Sequence, residues 1–446
     1  MVAIDSLRAD HLGAYGYSRP TSPCIDALAA VSLVFDQAIA AGIPTMPSFT
    51  TLMTGLHPLR TGVVAHIGRH RLADDVQMLP QLAQEHGYVT MGVDNLVVQG
   101  QGRGSWFARG YDHYSGYLYK PFSNQSAQLV DRALSLTEEH ADRPFFMFLH
   151  LWDPHTPYGP LPPYDTLHYE PGAVLTTDKM AEVRALHPEY YDAFLGDMKL
   201  AHPDDYGYVV AQYDGEISQV DAQIGRLVEG LKRCDAWENT VLILLSDHGE
   251  AFGEGDFYFD HHGLYDAVIR VALMVRLPGE RPRRIGALSR PRTLRPRSSS
   301  WSAADQYPLT GVSLTPLISG GASDVSVRKH VVSVESTRQA SLSLRVGPPS
   351  NLKLILPIVE DLQGEPIPDY YGRPRNPDPL LFDLASDPGE THNVASERPD
   401  DLARLLAELE AQRAEMQRGT GLPDPVRSHG LTLTMDRFLT RLDERR

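Results

Sequence analysis

Along most of the chain, short continuous apolar runs that stop abruptly at a polar side chain alternate with longer stretches whose apolar residues recur every three or four positions. The first run ends at Ile4 and meets Asp5, and VTMGV, from Val89 to Val93, meets Asp94 and Asn95. The stretch PFFMFLHLW, from Pro144 to Trp152, delivers DPHTPY, and TVLILL, from Thr240 to Leu245, delivers SDHGE. Runs without polar alternation read as strands buried on both faces, as in parallel sheets. Between them CIDALAAVSL, LPQLAQEHGY and YVVAQYDGEISQVDAQIGRLVEGLK carry helical spacing. This βαβ alternation predicts an α/β fold with a mostly parallel central sheet flanked by helices. Later the pattern changes: KHVVSVES, SLSLRVG, LKLILPI and LLFDLASDPGE predict a smaller C-terminal antiparallel sheet, with PDDLARLLAELEAQRAEMQRG as an amphipathic helix packed on it. The expected organisation is a catalytic domain over 1–325, a small α+β subdomain over 326–418 and a tail over 419–446.

Sheets of this kind place functional groups beyond the carboxyl ends of their strands. Asp5 sits at such an end and reads either as a metal ligand or as the N-cap of a helix opened by DSLRADHL. Asp247 and His248 emerge together beside Gly249, which allows close backbone approach, and suit a divalent ion with mixed oxygen and nitrogen ligands or, alternatively, a cap and a surface histidine. His155 lies on the DPHTPY loop and suits a substrate or acid/base role, whereas His150 lies inside the strand and reads as a satisfied core residue. His261 and His262 read as a solvated pair, or one of them as a cationic clamp or leaving-group acid. In AGIPTMPSFTTLMTG, Ala41 to Gly55, Thr45 is held between Pro44 and Pro47; Ser48 is the expected N-cap, and a helix beginning at Phe49 would face an anion. That stretch is either a nucleophile segment or a capping turn. The Pro-, Tyr- and Asp-rich stretch after DPHTPY is the expected place for substrate selectivity. Asp387 and Glu390 read as turn and cap residues.

Composition narrows the choice. With 41 Lys and Arg against 57 Asp and Glu, the net charge of −16 disfavours a nucleic-acid or anionic-membrane binder. Two cysteines, Cys24 and Cys234, supply neither a disulfide framework nor a thiolate zinc site. No apolar run is long enough for a membrane helix and MVAIDSLRAD lacks signal-peptide regions, so the expectation is a soluble, cytoplasmic protein, an export signal upstream of this start remaining open. The C-terminal tail leaves room for a homo-oligomer.

Taken in order, DSLRADHLGAYGY, the proline-flanked segment ending in TLMTG, DPHTPY, SDHGE, HHGLYDAVIRVALMV and LLFDLASDPGETHNVA resemble the sulfatase family within the alkaline phosphatase superfamily. The resemblance implies an alkaline phosphatase-like fold, a small anionic ester as substrate, and one divalent metal ion (Mn, Ca, Zn or Mg) held by Asp5, Thr45, Asp247 and His248. It implies substrate contacts from Asn95, His155 and His262, the last standing where many relatives carry a lysine. A second ion would need a further Asp and a His pair; Asp260 and His261 are nearby in sequence, but one ion is expected. The family's C/S-x-P-S-R signature, which matures to formylglycine, is replaced by Thr45-Met46-Pro47-Ser48-Phe49. Threonine is no formylglycine precursor, but its alkoxide is a workable nucleophile for phosphoryl groups. The expectation is therefore a Thr45-dependent hydrolase of phosphate or phosphonate esters, or a phosphotransferase, with a sulfuric ester hydrolase and a non-catalytic relative as alternatives. The run from Arg283 to Pro308, rich in Arg, Ser and Pro, breaks the family pattern and reads as a mobile insert, an out-of-register stretch or a basic loop.

Overall fold

The computed structural model describes residues 1–66, 71–95, 105–116, 124–170, 177–186, 195, 198, 200–289, 329–370, 372–429 and 431. Nine strands are needed to follow the large sheet and the entry to the nucleophile segment: β1 (Val2–Ile4), β2 (Leu33–Phe35), β3 (Gly42–Ile43), β4 (Val89–Val93), β5 (His113–Ser115), β6 (Phe145–Leu151), β7 (Leu242–Ser246), β8 (Leu273–Arg276) and β9 (Arg283–Ile285). Eight of them, all but β3, form one sheet in the order β9-β2-β8-β7-β1-β6-β4-β5. Only β8 runs antiparallel to its neighbours β2 and β7; the other described pairings are parallel.

Both faces of this sheet are covered, which is why its strands read as unbroken apolar runs. Val2, Ile4, Leu149, Leu151 and Leu244 point into one core with α1 (Pro23–Ala29), α3 (Ser126–Glu139) and the long α4 (Tyr206–Arg233). Ala3, Phe148, Ile243 and Leu245 point into the other, shared with α2 (Thr45–Thr54). The α4 helix starts where Asp205 accepts from the N–H of Gly207 and Tyr208, and Lys232 and Arg233 lie in its last turn, where they suit the negative end of the helix dipole.

The predicted antiparallel sheet is present as β10 (His330–Glu335), β11 (Ser341–Val346), β12 (Leu352–Pro357) and β13 (Leu380–Asp383), with α5 (Pro399–Gln417) packed on it through Leu405, Leu409 and Met416. Its fifth strand comes from far upstream: β3 pairs in parallel with β10, Ile43 opposite Glu335. The segment that leads into Thr45 thus belongs to the small sheet.

Two expectations change. No α-helix follows Asp5. Instead the chain makes two short 3-10 turns, Ala9–His11 and Gly13–Tyr15, because side chains satisfy the backbone: Arg8 N–H donates to Tyr213 Oη at 2.8 Å and Ala14 N–H to Asp26 Oδ1 at 2.7 Å. The Arg- and Ser-rich run begins as the edge strand β9, and its residues 290–308 lie outside the described ones, as does most of the tail after His429. No helix among the described residues is long and apolar enough to cross a membrane.

Candidate active site

Strand register builds the site. Ile4 pairs with Leu151 on one side and Ser246 on the other, so the next residues of two adjacent parallel strands, Asp5 and Asp247, emerge side by side at the carboxyl edge. Both are buried. Immediately afterwards the chain passes close under another segment: Gly249 N–H donates to Val268 O at 2.7 Å, and a Cβ at position 249 would lie 2.0 Å from the Ala267 carbonyl oxygen. Only glycine fits there. His248 Nδ1 lies 3.0 Å from the Gly249 carbonyl, which can only accept, so Nδ1 carries the proton and Nε2 keeps a lone pair. That nitrogen faces Asp247 Oδ2 at 3.2 Å, Thr45 Oγ1 at 3.2 Å and Asp5 Oδ1 at 3.5 Å.

Thr45 arrives from the opposite direction, as the first residue of α2 directly after β3. The strand is pressed against the helix: a Cβ on Gly42 would lie 2.6 Å from Pro58 Cγ and 3.0 Å from Pro47 Cβ. Ser48 is not the N-cap. The helix begins earlier, and the Ser48 hydroxyl donates to the Asp247 carbonyl at 2.8 Å, fastening α2 to the end of β7. Phe49 lies in the core, its ring edge-on to His150 with centroids 4.7 Å apart and packed near Phe107 and Phe148.

The N-cap reading of Asp5 is overturned by its partners. Its carboxylate accepts from the Ser6 hydroxyl at 3.2 Å and from His150 Nε2 at 3.1 Å, while His150 Nδ1 donates to Asp94 Oδ1 at 2.7 Å. Burial alone would lower the His150 pKa, but the hydrogen bonds to Asp5 and Asp94 raise it to about 10, making it a buried imidazolium. Burial likewise works against the Asp5 carboxylate, but the His150 bond and the nearby histidine charges bring its pKa down to about 2. For Asp247 burial first, and then Asp5, push the pKa up to about 6, outweighing the histidine charges and the His248 N–H that favour its carboxylate. His150 is the core residue its sequence context suggested, but it also holds Asp5; Ala3 and His150 are register partners on β1 and β6.

A cation fits this arrangement. Among the described residues the buried Asp247 Oδ2 has no hydrogen-bond partner, and Asp5, Asp247 and His248 place one donor atom each within 4.8 Å of the others. Two carboxylates, a bare imidazole nitrogen and a hydroxyl match a divalent ion that takes mainly oxygen ligands.

The remaining predicted residues are distributed unevenly. The His155 ring stands 4.6 Å, centroid to centroid, from that of His261, which in turn stacks on His248 at 4.9 Å. His262 lies one ring further, 4.9 Å from His261, with Nδ1 donating to Glu335 Oε1 at 2.6 Å. Burial lowers the pKa of His155 and brings that of His262 down to about 3, so both rest as neutral imidazoles rather than as cationic clamps. Asn95 is buried at the end of β4, where its amide donates to Gln125 Oε1 at 2.7 Å. Sequence reasoning missed Glu250, Glu335 and Arg338. Glu250 was visible inside SDHGE, but Glu335 and Arg338 reach the site only through the pairing of the small sheet.

Residues 1–305 match the family model described as Sulfatase. The chain belongs to the sulfatase family. Iduronate 2-sulfatase of Mus musculus is 26% identical over 329 residues, which span 63% of this chain and 59% of that protein's length. N-sulphoglucosamine sulphohydrolase of Homo sapiens is 27% identical across 92% of this chain and 88% of its own. Among solved structures, the phosphonate monoester hydrolase SpPMH of Silicibacter pomeroyi shares the fold with a TM-score of 0.71 at 20% identity, over 94% of this chain and 95% of its own. A putative sulfatase from Bacteroides thetaiotaomicron does so at 0.67 and 19% identity, over 93% and 92%. This sulfatase-family chain therefore carries the family fold with a threonine hydroxyl beside His248 of its acidic cluster.

Proposed function

We propose that the chain is a metal-dependent ester hydrolase in which Thr45 Oγ1 attacks phosphorus in a phosphate or phosphonate ester. The observation that carries this is the placement of Thr45 at the open N-terminal end of α2, with its hydroxyl 3.2 Å from the lone-pair nitrogen of His248 between Asp5 and Asp247. Asp5, Asp247, His248 and Thr45 are the residues that would hold the ion. A bound divalent cation would supply Lewis-acid polarisation of the ester and lower the pKa of the attacking hydroxyl.

In the first step Thr45 Oγ1 gives up its proton to solvent and forms a bond to phosphorus, while the bond from phosphorus to the leaving oxygen breaks. His155, taking up a proton from water, protonates that oxygen. The N–H groups of Thr45 and Met46, in the first turn of α2, would stabilise charge on the non-bridging oxygens. Water then attacks the phosphothreonine, with His155 accepting its proton and passing it to solvent, and Thr45 Oγ1 leaves and regains its proton from solvent; an alcohol in place of water would make the reaction a transfer. His262 and Asn95 are further proposed substrate contacts, the Nδ1 of His262 held by Glu335 and the Asn95 amide by Gln125.

The second reading is hydrolysis of a sulfuric ester, which the named relatives favour. The nucleophile argues against it: formylglycine releases sulfate by elimination from a geminal diol, whereas a sulfated threonine has no such exit. Cys24 in α1 and Cys234 at the end of α4 offer no replacement precursor. The test is turnover of aryl phosphodiesters, phosphonate monoesters and aryl sulfates by the metal-loaded protein and its Thr45→Ala variant, with intact-mass detection of the trapped adduct. Thr45-dependent phosphorus turnover with a mass gain equal to the transferred group is expected. Turnover that survives Thr45→Ala overturns the nucleophile, and Thr45-dependent preference for sulfates overturns the choice of phosphorus.

A further inference from the structure

A cavity of about 410 Å3 lies at the seam between the two sheets, and Asp5, Thr45, Asp247 and His248 do not line it. Arg8, Ala267 and Arg270 form one side, and Arg345 and Asn351 of the small sheet form the other. Its size falls within the range of small-molecule pockets, roughly 300–1,000 Å3. Five carboxylates line it, and each has a cation of its own. Arg8 holds Asp10 at 2.7 Å and Glu254 at 2.9 Å, Arg284 pairs with Asp36, and the buried Lys353 takes Asp266 at 2.8 Å and Glu390 at 2.7 Å.

Two lining guanidiniums are left over. Arg345 is the register partner of Lys353 on the neighbouring strands β11 and β12, but Lys353 takes both acids. Arg345 is only 6% exposed, and its one hydrogen bond among the described residues runs from Nη1 to Val346 O at 2.6 Å. Its Nε stands 3.5 Å from Asp266 Oδ2 and is buried without a hydrogen-bond partner among those residues. Arg270, half-buried, donates from Nε to Asp36 O at 3.0 Å and makes no other hydrogen bond among them. Burying a guanidinium with most of its five N–H groups open is costly, and an acceptor from outside the chain removes that cost. Neutral groups complete the lining. Gln37 Nε2 donates to Gly286 O at 3.1 Å, which fixes the amide and leaves the buried Oε1 without a hydrogen bond among the described residues; the side-chain amide of Asn351 makes none there either. The Gln37 oxygen can only accept, so its complement is a hydroxyl.

We propose that this cavity binds a small hydroxylated anion, its carboxylate or phosphate oxygens accepting from Arg345 and Arg270 and its hydroxyls meeting Gln37 and Asn351. Guanidinium forks match both kinds of oxyanion. The site is separate from the proposed Thr45 chemistry but touches the same scaffold. Ala267, whose carbonyl presses on Gly249, lines the cavity, and so does Arg8, whose Nη1 donates to Glu250 O at 3.0 Å. Residues of the cavity wall therefore contact the turn directly after Asp247 and His248. The bound anion would also join the small sheet, through Arg345, to the segment that enters β8, through Arg270.

The test is isothermal titration of the full, Mn2+-loaded Thr45→Ala chain, chosen to keep esters intact, with gluconate, glucose 6-phosphate and glucose. Saturable one-to-one binding of at least one of the two anions, and none of glucose, is expected; which anion binds tells a carboxylate ligand from a phosphate one. Arg345→Gln and Arg270→Gln, each confirmed as folded by circular dichroism, should weaken that binding about tenfold or more. Arg270 is half-buried, so its variant decides the matter should Arg345→Gln fail to fold. Adding Asp247→Asn should leave the affinity as it was. No saturable binding of either anion, equal binding of glucose, full affinity in the folded arginine variants, or loss of binding with Asp247→Asn overturns the site. Because binding is read without turnover, failure of the threonine chemistry shows separately, in the kinetics of the parent against Thr45→Ala.

Discussion

Two buried groups of acids in this molecule solve the same electrostatic problem in different ways. At the seam between the sheets, Asp266 and Glu390 close on the wholly buried Lys353, at 2.8 Å and 2.7 Å, with Arg345 3.5 Å from Asp266. Burial works against the Asp266 carboxylate there, but Lys353 and then Arg345 hold its pKa below the usual range; Glu390, for which burial outweighs Lys353, is pushed up to about 7. At the ends of β1 and β7, Asp247 meets no lysine or arginine among the described residues, keeps Oδ2 without a hydrogen bond among them, and burial and Asp5 push its pKa up to about 6 against the weaker pull of His248 and His150. A buried acid gripped by a lysine or arginine of the chain is structural; one that the chain compensates only in part is prepared for a charge from outside.

Four experiments bear on that contrast. Thr45→Ala should lower kcat/KM for the preferred ester by about a thousandfold or more, with an unchanged unfolding temperature, because the hydroxyl does chemistry and little packing. Steady-state kinetics beside a thermal melt decide it. Lys353→Met should destabilise the fold by about 3–5 kcal/mol in urea titrations, since it strands two buried carboxylates, and should leave metal content as it was. Equal stability with altered metal content would reverse the assignment of the two groups. Asp247→Asn should do the opposite: the metal-free protein gains about 1–2 kcal/mol through lost repulsion, and the rise in unfolding temperature on adding Mn2+ or Zn2+ shrinks. The smallest effect concerns acid. The folded pKa of Asp266 is depressed, so its contribution is full above the unfolded value of about 4 and is lost as pH falls through the folded one. Asp266→Asn should therefore flatten the stability–pH curve below about pH 4.

Much of the architecture was written in local pattern. The apolar runs ending at Ile4, Val93, Leu151 and Leu245 are strands because both sheet faces are covered, and their stopping points delivered Asp5, Asp247 and His248 to one place. Thr45 stood out because prolines flank it. What stayed hidden depends on partners distant in sequence. The helix expected after Asp5 gives way to side-chain bonds from Tyr213 and Asp26. The Ser48 hydroxyl is captured by the Asp247 carbonyl rather than by its own helix. His150 shows no local sign of bridging Asp5 and Asp94, and Lys353 looks like an ordinary surface residue of a strand until its partners are known.

The small sheet has a mechanical consequence. β3 hangs from β10 and carries Thr45 one residue beyond Pro44, while Glu335, at the end of that same β10, grips His262. Asp5 and Asp247 are anchored in the large sheet. The gap in which an ester must sit is therefore set like the opening of a caliper, one jaw on each sheet, and whatever fills it draws the jaws together. Occupancy at the acidic cluster should consequently slow amide exchange along His330–Val346, in strands that do not themselves touch Asp5 or Asp247.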